Sequence, residues 1–367
     1  MPERGMALRR MGFLTIGRFD HADPGPGHEQ TLRMIEGAET LGFDSVWVRQ
    51  RHLQPGISSP VALLAAASQR TRRIELGTAV IPLGLENPLR LAEDLATVDV
   101  LSGGRLHPGV SVGTPFLYDK FKTALYPETH EVENFSKARV ARLIACLRGD
   151  PVSDFEGALG HDEFFREVQP HSPGLAGRVW YGGGLQSAVW AGIQGLNYLT
   201  ANLVSPEGSR SLDFATIQAE HIEAFRAHHP SPETARISQG LVVIPTDSAS
   251  PEQVDQYRAY AQSRIDRTMQ PQGPRGMIAS PDYVGTSEEI ANALYAHLGF
   301  QRIDEVAFAL PHGFNEDDHV QIITDMAEKL GPKLGWRPAQ ARDEPPPCAR
   351  RDHSGGMGHQ ERTVVAQ

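Results

Sequence analysis

Short aliphatic runs alternate with amphipathic helical segments over most of this chain, and a chain patterned in this way has few folds open to it. Met11 to Ile16 reads as a first strand, and His28 to Leu41 as a helix that stops at Gly42. Phe43 to Val48 is a second strand. Ser58-Ser59-Pro60 offers a cap residue and an early proline, which predicts a helix running to about Arg72. Ile74 to Leu83 reads as a third strand. Asn87-Pro88 opens a third helix, in which Leu91, Leu95, Val98 and Leu101 keep near-helical spacing. Leu101-Ser102-Gly103-Gly104 then turns the chain into a fourth strand, Arg105 to Gly113.

The alternation resumes further on. A helix is expected from about Glu131 to Leu147, and strands at Arg178 to Tyr181, Leu196 to Ala201, Ile237 to Pro245 and Ile303 to Ala309. Helices are expected after Gly182-Gly183-Gly184, over Glu207 to His228 and Pro251 to Arg267, from Thr286 or Ser287, and over Asp317 to Leu330. Eight strands with intervening helices fit an α/β fold of the (β/α)8 TIM-barrel type with insertions. The rival doubly wound sheet is disfavoured, because no G-x-G-x-x-G follows the first strand.

Residues 1–336 therefore read as a single barrel domain with insertions near 114–177 and 268–282. The Pro- and Gly-containing stretch from Pro151 to Gly177 is expected on the active-site side of the barrel. Pro271 to Pro281 reads as a flexible loop suited to a lid or a subunit contact. Residues 337–367, rich in Pro, Arg, Gly and His, read as a disordered tail.

A chain of 367 residues suits one large barrel, and its 40% hydrophobic and 22% charged content is ordinary for a globular protein. Its net charge of −10, with no Lys/Arg cluster of the phosphate-backbone-binding kind, argues against nucleic-acid binding. No apolar run is long enough to span a membrane, and the first residues carry no apolar signal segment, so a cytoplasmic location is expected. Cys146 and Cys348 are the two cysteines, far apart and without metal or redox spacing. The histidines lack H-E-x-x-H or comparable spacing, so no metal site is expected, and there is no G-x-S-x-G elbow.

Three segments stand out chemically. Gly182-Gly183-Gly184-Leu185-Gln186-Ser187 joins a strand to a helix. Free N–H groups at a helix start suit a phosphate, glycines let it approach the backbone, and Ser187 adds a hydroxyl. The same residues also fit a tight turn that binds nothing. Thr78-Ala79-Val80 stands at the C-terminal end of a strand, the catalytic end of such barrels. Arg49-Gln50-Arg51-His52 ends the second strand; His52 is a candidate acid or base, or a structural histidine. Arg105 begins its strand and is expected to be structural, and Glu93, inside the third helix, to bond a neighbouring loop.

From about Met11 to Leu334, and most specifically over Phe43 to Gly113 and Trp180 to Asn202, the chain resembles the bacterial luciferase-like family of flavin-dependent oxidoreductases. The resemblance implies a (β/α)8 barrel holding a flavin over its C-terminal face. It implies that the flavin phosphate is gripped by Gly183, Gly184 and Ser187, and that a non-proline cis peptide at Ala79–Val80 underlies the flavin ring. Thr78, Ala79 and Val80, with Ser111 and Asn202 at the ends of the fourth and sixth strands, complete the cofactor-contacting set it implies. Many members have an acid and two histidines after the second strand; here Gln50 and Arg51 replace the first two and only His52 is kept. Arg51 could instead hold an anionic or carbonyl group of substrate or flavin. Val112 stands where members often carry a polar or basic residue, so the phosphate grip would lean on backbone N–H groups.

The activity implied is monooxygenation: reduced FMN, supplied by a separate flavin reductase, reacts with O2 to oxidise a small-molecule organic substrate. An F420-dependent hydride-transfer enzyme on the same fold is the alternative, and a non-catalytic flavin-binding relative is a third reading. The family resemblance also implies a homodimer. The stripe Leu91, Leu95, Val98 would serve either that contact or packing on the barrel.

Overall fold

Eight parallel strands pair in sequence order and close into a ring. The computed structural model describes residues 8–273 and 275–341. β1 (Arg10–Thr15) pairs with β2 (Ser45–Val48), and β2 with β3 (Glu75–Thr78, resumed at Ile81–Pro82). β4 (Leu106–His107, resumed at Gly109–Ser111) pairs with both pieces of β3. β5 (Trp180–Gly182), β6 (Asn197–Thr200), β7 (Ile237–Gln239) and β8 (Glu305–Ala309) continue the ring, and β8 returns to β1. The expected barrel is thus observed. Its third and fourth strands are each broken in two, and the paired halves seal it.

Local sequence explains where the helices begin and end. α1 (Pro24–Thr40) ends before Gly42, which sits at φ +89°. The Ser59 hydroxyl accepts from Ala62 N at the start of α2 (Pro60–Arg70), and Asn87 caps α3 (Pro88–Ser102). α4 (Lys137–Arg148) starts at the Ser136 cap, six residues later than expected, because Glu131 to Phe135 are taken up in turns. α5 (Leu185–Ile193) follows the triple glycine. α6 (Phe214–His228) starts at Asp213, because Ser205, Ser209 and Ser211 bend the preceding chain through their own hydroxyls. α7 (Pro251–Gln262) and α8 (Ser287–Ala296) both carry capping boxes, and α9 (Glu316–Asp325) follows β8.

Three expectations change. The seventh strand breaks at Gly240, and Val242–Pro245 pairs instead with Asp282–Gly285. The stretch from Pro151 to Gly177 lies at the amino-terminal end of the barrel rather than the active-site side. It joins the C-terminus of α4 to the start of β5, and Ser172 and Arg178 bind Asp99 in the last turns of α3 at 2.5 and 2.6 Å. The loop before Pro281 is tied down, since Ile278–Ala279 pairs with Leu203–Val204 and Ser280 N donates to Asn202 O.

Two apolar cores result. The larger lies between strands and helices, and Leu91, Leu95 and Val98 are buried in it, so the stripe packs on the barrel. The smaller fills the barrel with Trp47, Trp180, Leu199 and Ala307, against which Leu14, Ala79 and Val80 pack. Below it, buried Glu305 and half-buried Glu75 share Arg236, whose guanidinium is 2.8 and 2.9 Å from them. Residues 337–341 continue along the barrel, with Ala339 N donating to Gly42 O and Gln340 Nε2 to Glu39 O. The rest of the expected tail, 342–367, lies outside the described residues.

Candidate active site

Because all eight strands are parallel, their carboxyl ends share one face. On that face the Ala79–Val80 peptide is cis, and both residues are half-buried on top of the inner core. Thr78 is fully buried; its hydroxyl donates to Gly109 O at 2.7 Å and accepts from Gly109 N at 2.8 Å. That side chain therefore ties β3 to β4 at the gap between their two halves. Ser111 is half-buried in register with Pro82.

The β5–α5 turn is where an anion cradle is expected, and its geometry is that of a glycine-rich turn into an uncapped helix. Gly183 has φ +156°, and a Cβ there would collide with Ser187. Gly184 is the cap residue of α5 and no side chain caps the helix; Ser187 N donates to Gly184 O at 3.0 Å, which leaves the Leu185 and Gln186 N–H groups to a ligand or water. The Gly183 carbonyl accepts from the Tyr198 hydroxyl at 2.7 Å. Burial raises Tyr181, while bonds to Ser187 and the Val112 backbone pull the other way, so the ends of β4 and β5 meet at this turn. Asn202, half-buried beyond β6, lies in the same arc of strand ends as the cradle.

Beyond β2 the chain folds back, with Arg51 N donating to Ile57 O at 2.7 Å. The His52 ring lies 4.8 Å from that of Phe121, in the loop between β4 and α4. Gln50 Nε2 donates to Glu86 Oε1 at 3.2 Å, while its own buried Oε1 has no partner. Burial holds the Glu86 carboxyl above its ordinary range, against the opposing bond from Gln50.

Sequence reasoning missed several groups that tertiary structure brings here. Lys137, at the start of α4, donates to Gln186 O at 3.2 Å and so stands a cation beside the first turn of α5. Glu86 meets Gln50, and His312, two residues beyond Leu310, reaches the same face from β8. Nothing in the local sequence marks these residues, since each partner is tens of residues away or more. Of the side roles expected, Arg105 is structural, giving hydrogen bonds to Ser102 O, Ile74 O, Ser68 O and Thr71. Glu93 differs: its half-buried carboxylate pairs with Arg90 one turn earlier on α3 rather than with a neighbouring loop. Among the described residues no group of three or more His, Cys, Asp or Glu is arranged to hold a metal, and no helix is long and apolar enough to cross a membrane.

The face fits a flat cofactor with a phosphate arm. Gly113 has φ +151° and open space where a Cβ would stand, and a Cβ at Gly182 would press on Val80. Small residues thus keep the floor low between Ala79–Val80 and the uncapped α5.

A closed parallel barrel with an uncapped, glycine-rich turn after its fifth strand defines a protein of the (β/α)8-barrel class. The profile of the luciferase-like monooxygenase family matches residues 9–302, and the chain belongs to that family. A 4-hydroxyprotoasukamycin monooxygenase from Streptomyces nodosus subsp. asukaensis is 37% identical over 94 residues, 25% of this chain and 25% of that protein. An F420-dependent glucose-6-phosphate dehydrogenase from Amycolatopsis mediterranei is 40% identical over 82 residues, 21% of this chain and 25% of that protein. The matched stretches thus span about a quarter of these relatives. In fold, the chain is similar to the oxygenating constituent of 3,6-diketocamphane monooxygenase from Pseudomonas putida in complex with FMN. The TM-score is 0.66 at 14% identity, over 90% of this chain and 100% of that one. The protein is thus a member of an oxidoreductase family that includes both monooxygenases and F420-dependent enzymes.

Proposed function

We propose that this protein is a reduced-FMN-dependent monooxygenase acting on a small organic substrate with O2. The observation that carries the reading is the half-buried Ala79–Val80 floor beside the uncapped, glycine-rich start of α5. Reduced FMN supplies, when bound, the two electrons that let one oxygen atom enter the substrate and the other leave as water. The N–H groups of Gly183, Gly184 and the first turn of α5, with the Ser187 hydroxyl, hold the phosphate, and Lys137 adds a positive charge. Ala79 and Val80 support the ring from below; Ser111 and Asn202 bound it at the sides. His52, steadied by Phe121, moves a proton at the substrate. A separate flavin reductase provides the reduced cofactor. The protein works as a homodimer, for which Leu89, Val100 and Leu101 form the exposed apolar part of α3.

The identity to an F420-dependent dehydrogenase supports a second reading, in which the same cradle holds F420 and the reaction is hydride transfer. Titrating the purified protein separately with reduced FMN and reduced F420, then admitting O2 to the FMN complex, tests both. Micromolar binding of FMN with oxygen consumed in step with product formation is the expected result. Binding of F420 alone would replace the first reading with the second.

A further inference from the structure

We infer that Arg18, Arg49 and Arg51, gathered beside His312 at the carboxyl ends of β1, β2 and β8, bind an anionic oxygen group of the substrate, a carboxylate or its sulfonate or phosphate equivalent. This rests on reading that face of the barrel as the active site.

The geometry comes from three adjacent strands. Leu310 N donates to Leu14 O at 2.8 Å, Arg49 N to Thr15 O at 3.0 Å, and Ile57 N to Ile16 O at 3.0 Å, which holds the three strand ends side by side. The stem of Arg51 lies against Gly56, its Cγ 3.0 Å from where a Cβ would stand, so a side chain at that position would displace it. Arg18 and His312 keep exposed surface, which leaves the cluster open to solvent at the mouth.

Charge separates the cluster from the neutralised arginines of the chain. The chain carries a net charge of −10, and Arg33, Arg70, Arg236 and Arg264 all bond carboxylates. Among the described residues no carboxylate pairs with Arg18, Arg49 or Arg51. Burial, followed by the charge of Arg51, pulls Arg49 down to about 10, and burial alone lowers Arg51. Partial burial pushes His312 down to about 4, reinforced by Arg51, Arg264, Arg49 and Arg18, so three arginines without a carboxylate partner and the Asp282-paired Arg264 bear on one point. An enclosed guanidinium without a counter-charge is costly, and it gains most from an anion it can bond through its planar fork. At neutral pH His312 is uncharged and can donate to the same anion.

The cluster is separate from the cofactor cradle. In the closed ring β1 stands four strands from β5 in either direction, so the arginines face the Gly183–Ser187 turn from the opposite side of the mouth. A cofactor phosphate in the cradle leaves the arginines to a second anion.

Isothermal titration of cofactor-free protein with sodium sulfate at fixed ionic strength tests this, using wild type, Arg51→Gln, Arg51→Lys, Arg49→Gln and Gly183→Asp. Saturable binding by wild type is expected. At the arginine site a Kd at least about tenfold weaker is expected for either Gln variant and an intermediate one for Arg51→Lys; Gly183→Asp, which bars sulfate from the cradle, should keep that site with its Kd unchanged. Should Arg49→Gln not fold, the two Arg51 variants decide the matter. Absence of saturable binding, equal affinity in wild type and Arg51→Gln, or loss in Gly183→Asp alone would each overturn the inference. FMN and F420 titrations of the same preparation judge the cofactor reading independently: wild type that binds sulfate through Arg51 but neither cofactor would end that reading and leave the anion site standing.

Discussion

The hydroxyl of Tyr198 on β6 donates a 2.7 Å hydrogen bond to the carbonyl oxygen of Gly183 beyond β5. Tyr198 is fully buried and stacks on Phe225, so the bond fixes the glycine turn, the proposed phosphate site, from inside the protein. Tyr198→Phe keeps the packing and removes that bond. Cofactor affinity should fall about three- to tenfold, as expected for one hydrogen bond of about 0.5–1.5 kcal/mol. Parallel thermal melts should show that the barrel itself is little changed.

Gly183→Asp acts on the same turn more severely. A side chain at φ +156° is strained and collides with Ser187, and a carboxylate there repels a phosphate. Titration with reduced FMN should show at least a hundredfold loss of affinity in a protein whose circular dichroism is that of wild type. Unaltered titration curves would remove the turn from the site.

At the end of β2 two substitutions separate two roles. His52→Ala should lower turnover about 10²–10⁴-fold with little loss of cofactor binding, because it deletes a proton carrier. Arg51→Ala should mainly raise KM, because it deletes a binding contact. Steady-state kinetics on both variants distinguish these outcomes, and wild-type values in both would move the chemistry elsewhere on the face.

Acid stability should depend on Glu39. Its carboxylate accepts from the backbone N–H groups of Arg72, Arg73 and Ile74 at 2.7–3.0 Å. Burial works to raise its pKa, but those three bonds outweigh it and hold it low. A carboxyl lowered on folding adds stability above its unfolded pKa of about 4.3, and that stability is lost as pH falls through the folded value. Glu39→Ala should therefore cost about 1.5–3 kcal/mol at pH 7. In urea melts from neutral to acid pH, the gap to wild type should close below about pH 4.

Arg236 is the keystone of the amino-terminal end. Arg236→Ala leaves buried Glu305 with Arg10 at 4.0 Å as its remaining partner, and leaves Glu75 to Arg10 and His107. A loss of about 3–5 kcal/mol is expected, since one partner of a buried pair is left poorly compensated. Denaturant unfolding measures it directly, and cofactor affinity should hold, because the network lies at the far end of the barrel from the cradle.

The strand–helix alternation, the Ser59 and Asn87 caps, a helix start at Thr286 or Ser287, the stop at Gly42 and the glycine turn at 182–184 were legible in the sequence by itself. Each depends on residues within one helical turn or one strand, where periodicity and capping act locally. The broken strands were not legible, because Ala79–Val80 and Pro108 interrupt β3 and β4 only once the two strands face each other. The placement of Pro151 to Gly177 was misread for a similar reason: loop composition does not say which end of a barrel a connection spans, whereas the direction of α4 does. Lys137 beside α5, Glu86 against Gln50, and the union of Arg18, Arg49, Arg51 and His312 were decided by ring closure alone. Closure brings β8 next to β1, joining positions almost three hundred residues apart, and no local pattern in the chain encodes that proximity.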